Sequence, residues 1–495
     1  MITRQKQRRM NIHARHQQAL SNASLHDFII VEHQNRIGGR VWSADFGQDK
    51  TGKPYVVEFG ANWLHGVGSG RAENPLVTLS RKHRLENVLD NDSSVLTYDE
   101  TGYHDYQDLL DLFGHAKQTA YRDAGQMLLA NVQDGNARTG FAMAGWNPRW
   151  NDMKAQAVEW WNWDCESAAS PEASSFIFGV AAENLTFNQF GEDNHMVVDP
   201  RGYSTIIEGE ASTFLRETQD RRLWLNTHVT KIEHSKKGVK VTNQDGSCIS
   251  AAYAICTFSL GVLQNDVVQF HPPLPPWKQT AIQKFSMGTY TKIFLQFDTA
   301  FWPPDTQYFL YASPTTRGYY PIFQTLSIDG FLPGSNILFA TVVGEQAHQV
   351  ERQPVEKTKQ QVLAVLREMF PDKHVPEPRA FGYPRWNSEP WAHGSYSNWP
   401  VGTTLEMHQN LRANVDRLWF AGEATSAPYF GFLHGAWFEG REAGEQIAAI
   451  LQGRRSSTHG EGYCGEYKHY EVLHGTTPVD AYTAINGWPL NSTDL

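Results

Sequence analysis

Cysteine is scarce in this sequence. The four present, Cys165, Cys248, Cys256 and Cys464, are scattered, with neither the close pairs of a zinc or redox site nor the density of a disulfide-stapled scaffold, so no metal is expected. No apolar run is long enough to cross a membrane. Glycine is absent until Gly38. The opening residues MITRQKQRRMNIHARHQQ are basic and polar with no apolar segment after them, which does not fit a secretory signal and leaves the compartment as cytoplasmic or undetermined. An overall basic excess is also lacking: 43 Lys and Arg stand against 53 Asp and Glu, a net charge of -10. That balance argues against nucleic acid and leaves room for a cationic small molecule.

What is present suits a large globular protein. At 495 residues the chain is too long for one simple core, so two interleaved domains are expected. Its 16 Trp, 19 Tyr and 26 Phe suit an aromatic-lined cavity. The run FIIV before Glu32 reads as a buried parallel strand, with the acid at its carboxyl end where a dinucleotide fold accepts hydrogen bonds from a ribose. Next comes Arg36-Ile37-Gly38-Gly39-Arg40, either a tight turn with surface charges or a set of amides and guanidinium groups facing a pyrophosphate. Near the other end, LWFAG reads as a second buried strand, turning outward at Gly422 and Glu423. A helix with a small-residue face follows Gly431.

Between these lie weaker signals. Apolar residues at helical spacing run through LVTLSRKHRLENVL, through 107–132 and through VEWWNWDCES. HVTKIEHS and the segment after it form a strand meander turning at Asp245-Gly246, and ILFATVVGE precedes a helix over 355–369. TYTKIFLQF alternates as a strand and puts Tyr290 and Lys292 on one face. A lysine there is costly to bury, so it either snorkels to the surface or has a function.

Four separated motifs then combine. VEHQNRIGGRV, EFGANWLHG at 58–66, TYTKIFLQF at 289–297, and GEATS with GFLHGAWFEGREAG resemble, in order, the FAD-dependent amine oxidase family, nearest to its polyamine oxidases. The resemblance runs from about Leu20 to about Leu451. It implies an α/β fold, with a Rossmann-like FAD-binding domain from 20–85, 195–273 and 396–452. Interleaved with it is an α+β substrate domain containing a mixed sheet, from 86–194 and 274–395. Residues 1–19 are left as an aberrant or disordered leader and 453–495 as a tail without an assigned role.

The resemblance also assigns roles. Lys292 holds a water against the flavin, and Tyr396 and Phe432 flank the amine, with Tyr290 and His65 beside them. Glu32, Gly39, Arg40, Ala61, Asn62, Trp63, Val229, Trp399, Gly422, Glu423, Phe432 and Leu433 hold FAD. Asp164 and Glu166 are candidates for a distal ammonium, although surface acids are the ordinary reading of both; Val229 and His65 likewise fit ordinary core and loop positions. Ser395 stands where monoamine oxidases have a flavin-tethering cysteine, so FAD is expected to be non-covalent. The implied reaction is oxidation of spermine, spermidine or acetylated forms to aldehyde and amine, with O2 reduced to H2O2.

One part of the family pattern is not found. Such chains begin with a strand, a GxGxxG loop and a helix, and the absence of glycine before Gly38 leaves that loop missing. A chain that keeps the fold but holds FAD poorly is therefore one alternative, and an amino-acid oxidase on the same scaffold is another. The second needs a cavity arginine for a carboxylate. Oligomeric state is not legible.

Overall fold

The computed structural model describes residues 10–11, 19–130, 132–215 and 220–453. The short apolar runs become parallel strands. Ile29–Val31, buried at every position, pairs in parallel with Leu223–Trp224 on one side and Met10–Asn11 on the other. Ala254–Cys256 pairs in parallel with Leu418–Phe420, again buried throughout, as β-branched and aromatic residues covered on both faces require. Residues 19–22 are helical and lead into Ile29–Val31. The leader, read as aberrant or disordered, thus contributes two strand residues; its other positions up to 18, and the tail beyond Gly453, lie outside the described residues. Pairing with Met10–Asn11 satisfies backbone groups that Ile29–Val31 would otherwise bury unpaired.

The meander is as the turn chemistry predicts. Val229–Ser235, Gly238–Asn243 and Cys248–Ala251 run antiparallel, with Gly246 at φ 82° in the second turn, and Gln269–His271 adds a parallel strand. A seven-stranded mixed sheet follows the order Ala380–Gly382, Tyr290–Gln296, Ile337–Val343, Ile322–Thr325, Tyr308–Tyr311, Val95–Asp99, Gly102–Tyr103. Helices Gly344–Arg352 and Val355–Met369 follow its Ile337–Val343 strand in the chain.

Two local readings change. The helix read through 76–89 stops at His83, because Arg84 adopts φ 52° and its N–H bonds back to Arg81, while Leu85 N–H reaches Ser80 O. Asn87–Leu89 is then a strand paired with Asp193–Val197. In VEWWNWDCES the helix Met153–Glu159 passes into a π-turn over Trp160–Asp164 before a last helical turn at Cys165–Ser167. One extra residue in a turn rotates everything after it by about 100° relative to α-helical phase.

Candidate active site

A single cavity of ≈ 630 Å³ gathers residues from both ends of the sequence. Its nucleotide-facing part starts where Ile29–Val31 ends. Glu32 lines it, accepts the Gln34 N–H at 2.9 Å, and is pushed up to about 7 by burial against the pull of these amides and Arg36. Thr227 N–H bonds Glu32 O at 2.9 Å, which brings Val229 to the same wall. Gly38 and Gly39 have φ of 107° and 56°, so this loop needs glycine. The Arg36 guanidinium is spent within the loop, on Gly39 O and Val41 O at 2.9 Å each, and does not act as a free cation.

The centre is held by Glu423. Its carboxylate accepts from Arg40 Nη1 at 2.8 Å, Ser397 Oγ at 2.6 Å and Gly431 N–H at 2.8 Å, tying two loops to the strand Tyr396–Asn398. Arg40 Nη1 also donates to Ser395 O at 2.7 Å. Behind them Gly60 packs so closely that a Cβ would lie 1.8 Å from Arg40 O. The Leu433–Leu451 helix starts here without a side-chain cap.

Lys292 comes from the Tyr290–Gln296 strand, opposite Thr341. Its Nζ donates to Gly60 O at 2.7 Å and stands 5.4 Å from the Trp63 ring centroid. Burial pulls its pKa from 10.5 to about 7, with Glu58 pulling the other way. Burial likewise raises Glu58, although Tyr203 N–H and Ser43 Oγ both donate to it.

The aromatic corner adjoins this lysine. Tyr290 and Tyr396 have ring centroids 6.1 Å apart, and His65 meets Phe432 edge-on at 5.0 Å. Burial lowers His65 to about 4 and raises both tyrosines, so all three are neutral near pH 7. Tyr396 Oη donates to Glu166 O at 2.9 Å, and Tyr290 Oη lies 3.9 Å from Cys165 Sγ. Ser395 carries a hydroxyl bonded to the Tyr290 backbone, with no thiol at that position.

Of the residues singled out in the sequence, Glu32, Gly39, Arg40, Ala61, Asn62, Trp63, His65, Glu166, Val229, Tyr290, Lys292, Tyr396, Glu423, Phe432 and Leu433 line the cavity. Three do not. Asp164 is turned away by the π-turn and bonds the Arg317 guanidinium at 2.5 and 2.6 Å. Trp399 is fully buried core, stacked on His408 and Phe430. Gly422 directly precedes Glu423, has φ 149°, and would place a Cβ with nothing within 4 Å. Sequence reasoning also missed Asp90, which lines the cavity and accepts from Trp63 Nε1 at 2.6 Å and Tyr308 Oη at 2.8 Å. Burial pushes it up to about 6, and the one available signal was an acid directly after a short apolar run.

The wall fits a flavin dinucleotide. Asn62 Nδ2 and Thr257 Oγ1 line the cavity, buried and without a hydrogen-bond partner among the described residues, as expected of atoms that a polar ligand completes. Glu32 offers a half-buried acceptor to a ribose, and the glycine loop at 38–39 gives close backbone approach.

Parallel strands feeding such a wall, with a lysine and paired aromatics at its far end, define a flavoprotein fold. Residues 18–448 match the model of the family described as flavin-containing amine oxidoreductase, and the chain belongs to that family. It is 35% identical over 467 residues to Polyamine oxidase 1 of Zea mays, covering 90% of this chain and 89% of that one. To Polyamine oxidase 7 of Oryza sativa subsp. japonica it is 36% identical over 435 residues, covering 85% and 89%. A solved structure of a redesigned putrescine oxidase superposes with a TM-score of 0.67 at 17% identity, covering 90% of this chain and 99% of that one, a likeness of fold. The protein is accordingly an oxidoreductase that uses FAD. No described helix is long and apolar enough to cross a membrane, and no described cluster of His, Cys, Asp and Glu has metal-binding geometry.

Proposed function

We propose that this chain oxidises polyamines such as spermine, spermidine or their acetylated forms, with non-covalently held FAD. The observation that carries the reading is the desolvated corner of Tyr290, Tyr396, Phe432 and His65 beside buried Lys292. FAD held here would supply the two-electron acceptor for oxidation of the C–N bond to an imine, which water would hydrolyse to aldehyde and amine, with O2 as the final acceptor giving H2O2. The reacting nitrogen must be neutral for this, and a poorly hydrated corner of half-buried, neutral side chains disfavours its charged form. Tyr396 and Phe432 orient the C–N group, and His65 accepts a hydrogen bond from the amine. Lys292 holds a water by its Nζ, and Glu423 and Arg40 fix the loops around the flavin. Ser395 leaves nothing to tether it covalently. We assign 20–85, 195–273 and 396–452 to the FAD-binding domain and 86–194 with 274–395 to the substrate domain.

An amino-acid oxidase fits less well. Arg40 is the one arginine among the described cavity-lining residues, and it already serves Glu423 and Ser395. The test is an absorption spectrum of the purified chain together with a peroxide assay on spermine, spermidine and acetylspermine. Yellow protein and peroxide are expected. Yellow protein inert to all three amines would remove polyamines as substrate, and colourless protein would favour a fold kept without its flavin.

A further inference from the structure

Behind the aromatic corner lies a buried ionic network that the reaction does not use. Glu159, fully buried, accepts from Arg138, from Trp146 Nε1 at 2.8 Å and from Arg317 Nη2 at 2.9 Å. Arg317 also grips both oxygens of Asp164, at 2.5 and 2.6 Å. Arg138 extends to Glu172 at 2.7 Å. The two bridged acids, Glu159 and Asp164, are the last residue of one helix and the last of the π-turn that follows it. The loop carrying Arg317 is pressed onto the same turn: a Cβ on Gly318 would lie 2.9 Å from Trp160 Nε1.

The next two residues are the ones the cavity uses. Cys165 and Glu166 line it, and their carbonyls accept the Tyr396 hydroxyl at 3.5 and 2.9 Å. A π-turn is strained relative to an α-helix, and it persists where its surroundings over-determine it. Two arginine forks, on the acids at either end of the turn, supply that constraint with planar, directional contacts that a single surface pair lacks.

We propose that Arg317 and Asp164 are positioning residues for the amine slot: by clamping the Trp160–Asp164 π-turn, they fix the carbonyls of Cys165 and Glu166 that hold Tyr396 in place. This rests on the polyamine reading only for the choice of substrate. The clamp acts on Tyr396 through its hydroxyl, so its loss and the loss of that hydroxyl should not add.

The test is a double-mutant cycle on flavin-bound enzyme with spermine. Asp164→Asn keeps shape but removes one of the two acceptor oxygens, and it is expected to raise KM about tenfold with little change in kcat. Tyr396→Phe should do the same, and the double variant should be no worse than either alone. Additive KM effects, or an unchanged KM in folded Asp164→Asn, would overturn the proposal. Arg317→Gln is the second entry into the same clamp, and it should reproduce the effect and its non-additivity. Should neither variant fold with flavin, the network serves stability alone and the proposal falls. Should wild-type enzyme not oxidise spermine, the polyamine reading fails by itself. Amide hydrogen exchange over 160–168 then decides: faster exchange in Asp164→Asn and in Tyr396→Phe supports the clamp, and unchanged protection refutes it.

Discussion

Replacing Lys292 with Met separates what this residue does from what it costs. Its side chain is 2% exposed as a residue, and burial pulls its pKa from 10.5 to about 7. The sign follows from proton counting. Between pH 7 and 10.5 the unfolded chain holds more protons on this lysine than the folded one, so its contribution to stability rises with pH over that window. It is complete above 10.5 and is lost as pH falls to about 7. Integrated from pH 7 to 9, the change is about 2 kcal/mol in favour of the folded state. Methionine has a similar length and no charge, so the stability of wild type minus that of Lys292→Met should climb by about this amount across those two pH units. Denaturant unfolding of the flavin-bound proteins at pH 7, 8 and 9 reads it directly. On the proposed role, in which Lys292 holds a water against the flavin, stopped-flow on the same variant should show flavin retained and its reduction or reoxidation strongly slowed. A flat or falling stability difference would mean that Lys292 stays charged in the folded protein, and wild-type rates in both half-reactions would sink the catalytic assignment.

Two further substitutions address the centre and the corner. Glu423→Gln exchanges one acceptor oxygen for a donor amide facing Arg40, Ser397 Oγ and Gly431 N–H; the loss of one charge-assisted bond, about 1.5–3 kcal/mol, should weaken flavin retention on dialysis about 10- to 100-fold. Tyr396→Ala removes one wall of the slot, so KM for spermine should rise and kcat fall while the flavin spectrum stays close to wild type, checked by steady-state peroxide assay and absorption.

The buried strands were legible because a run such as FIIV or LWFAG has one good environment, a parallel strand covered on both faces. Glycines at 38–39 and 431 were legible because the positions need φ that other residues resist. The helix read through 76–89 failed because a residue without glycine's freedom, Arg84, takes the left-handed cap, and periodicity carries no signal for that. Asp164 failed for two reasons at once. A π-turn shifts the phase of the residues around it, and the partner that claims the acid, Arg317, lies 153 positions away in the chain. Asp90 was missed on similar grounds, since Tyr308 is separated from it by 218 positions. Trp399 was assigned to the cofactor by resemblance alone, and the structure stacks its ring on His408 and Phe430 in the core, contacts that come from segments the local sequence does not show.

The shifts at this site share one leading cause, and on the proposed reading that cause is also the catalytic device. Burial comes first for Lys292, His65, Tyr290 and Tyr396, and in each it moves the group toward neutrality. An alkylammonium entering the same corner meets the same environment. An amine with a lysine-like pKa of about 10.4 is neutral in roughly one molecule in 2,500 at pH 7, and desolvation of the kind that lowers Lys292 raises that fraction. The gain therefore needs no base aimed at the nitrogen; it needs water kept out. The same cavity lining also includes the exposed acids Asp92, Glu166 and Glu192, which suit ammonium groups that stay charged. On the proposed reading, a linear polyamine with several nitrogens of similar basicity is sorted by that contrast: the nitrogen at the aromatic corner reacts because it loses its proton, and the others anchor on the acids because they keep theirs.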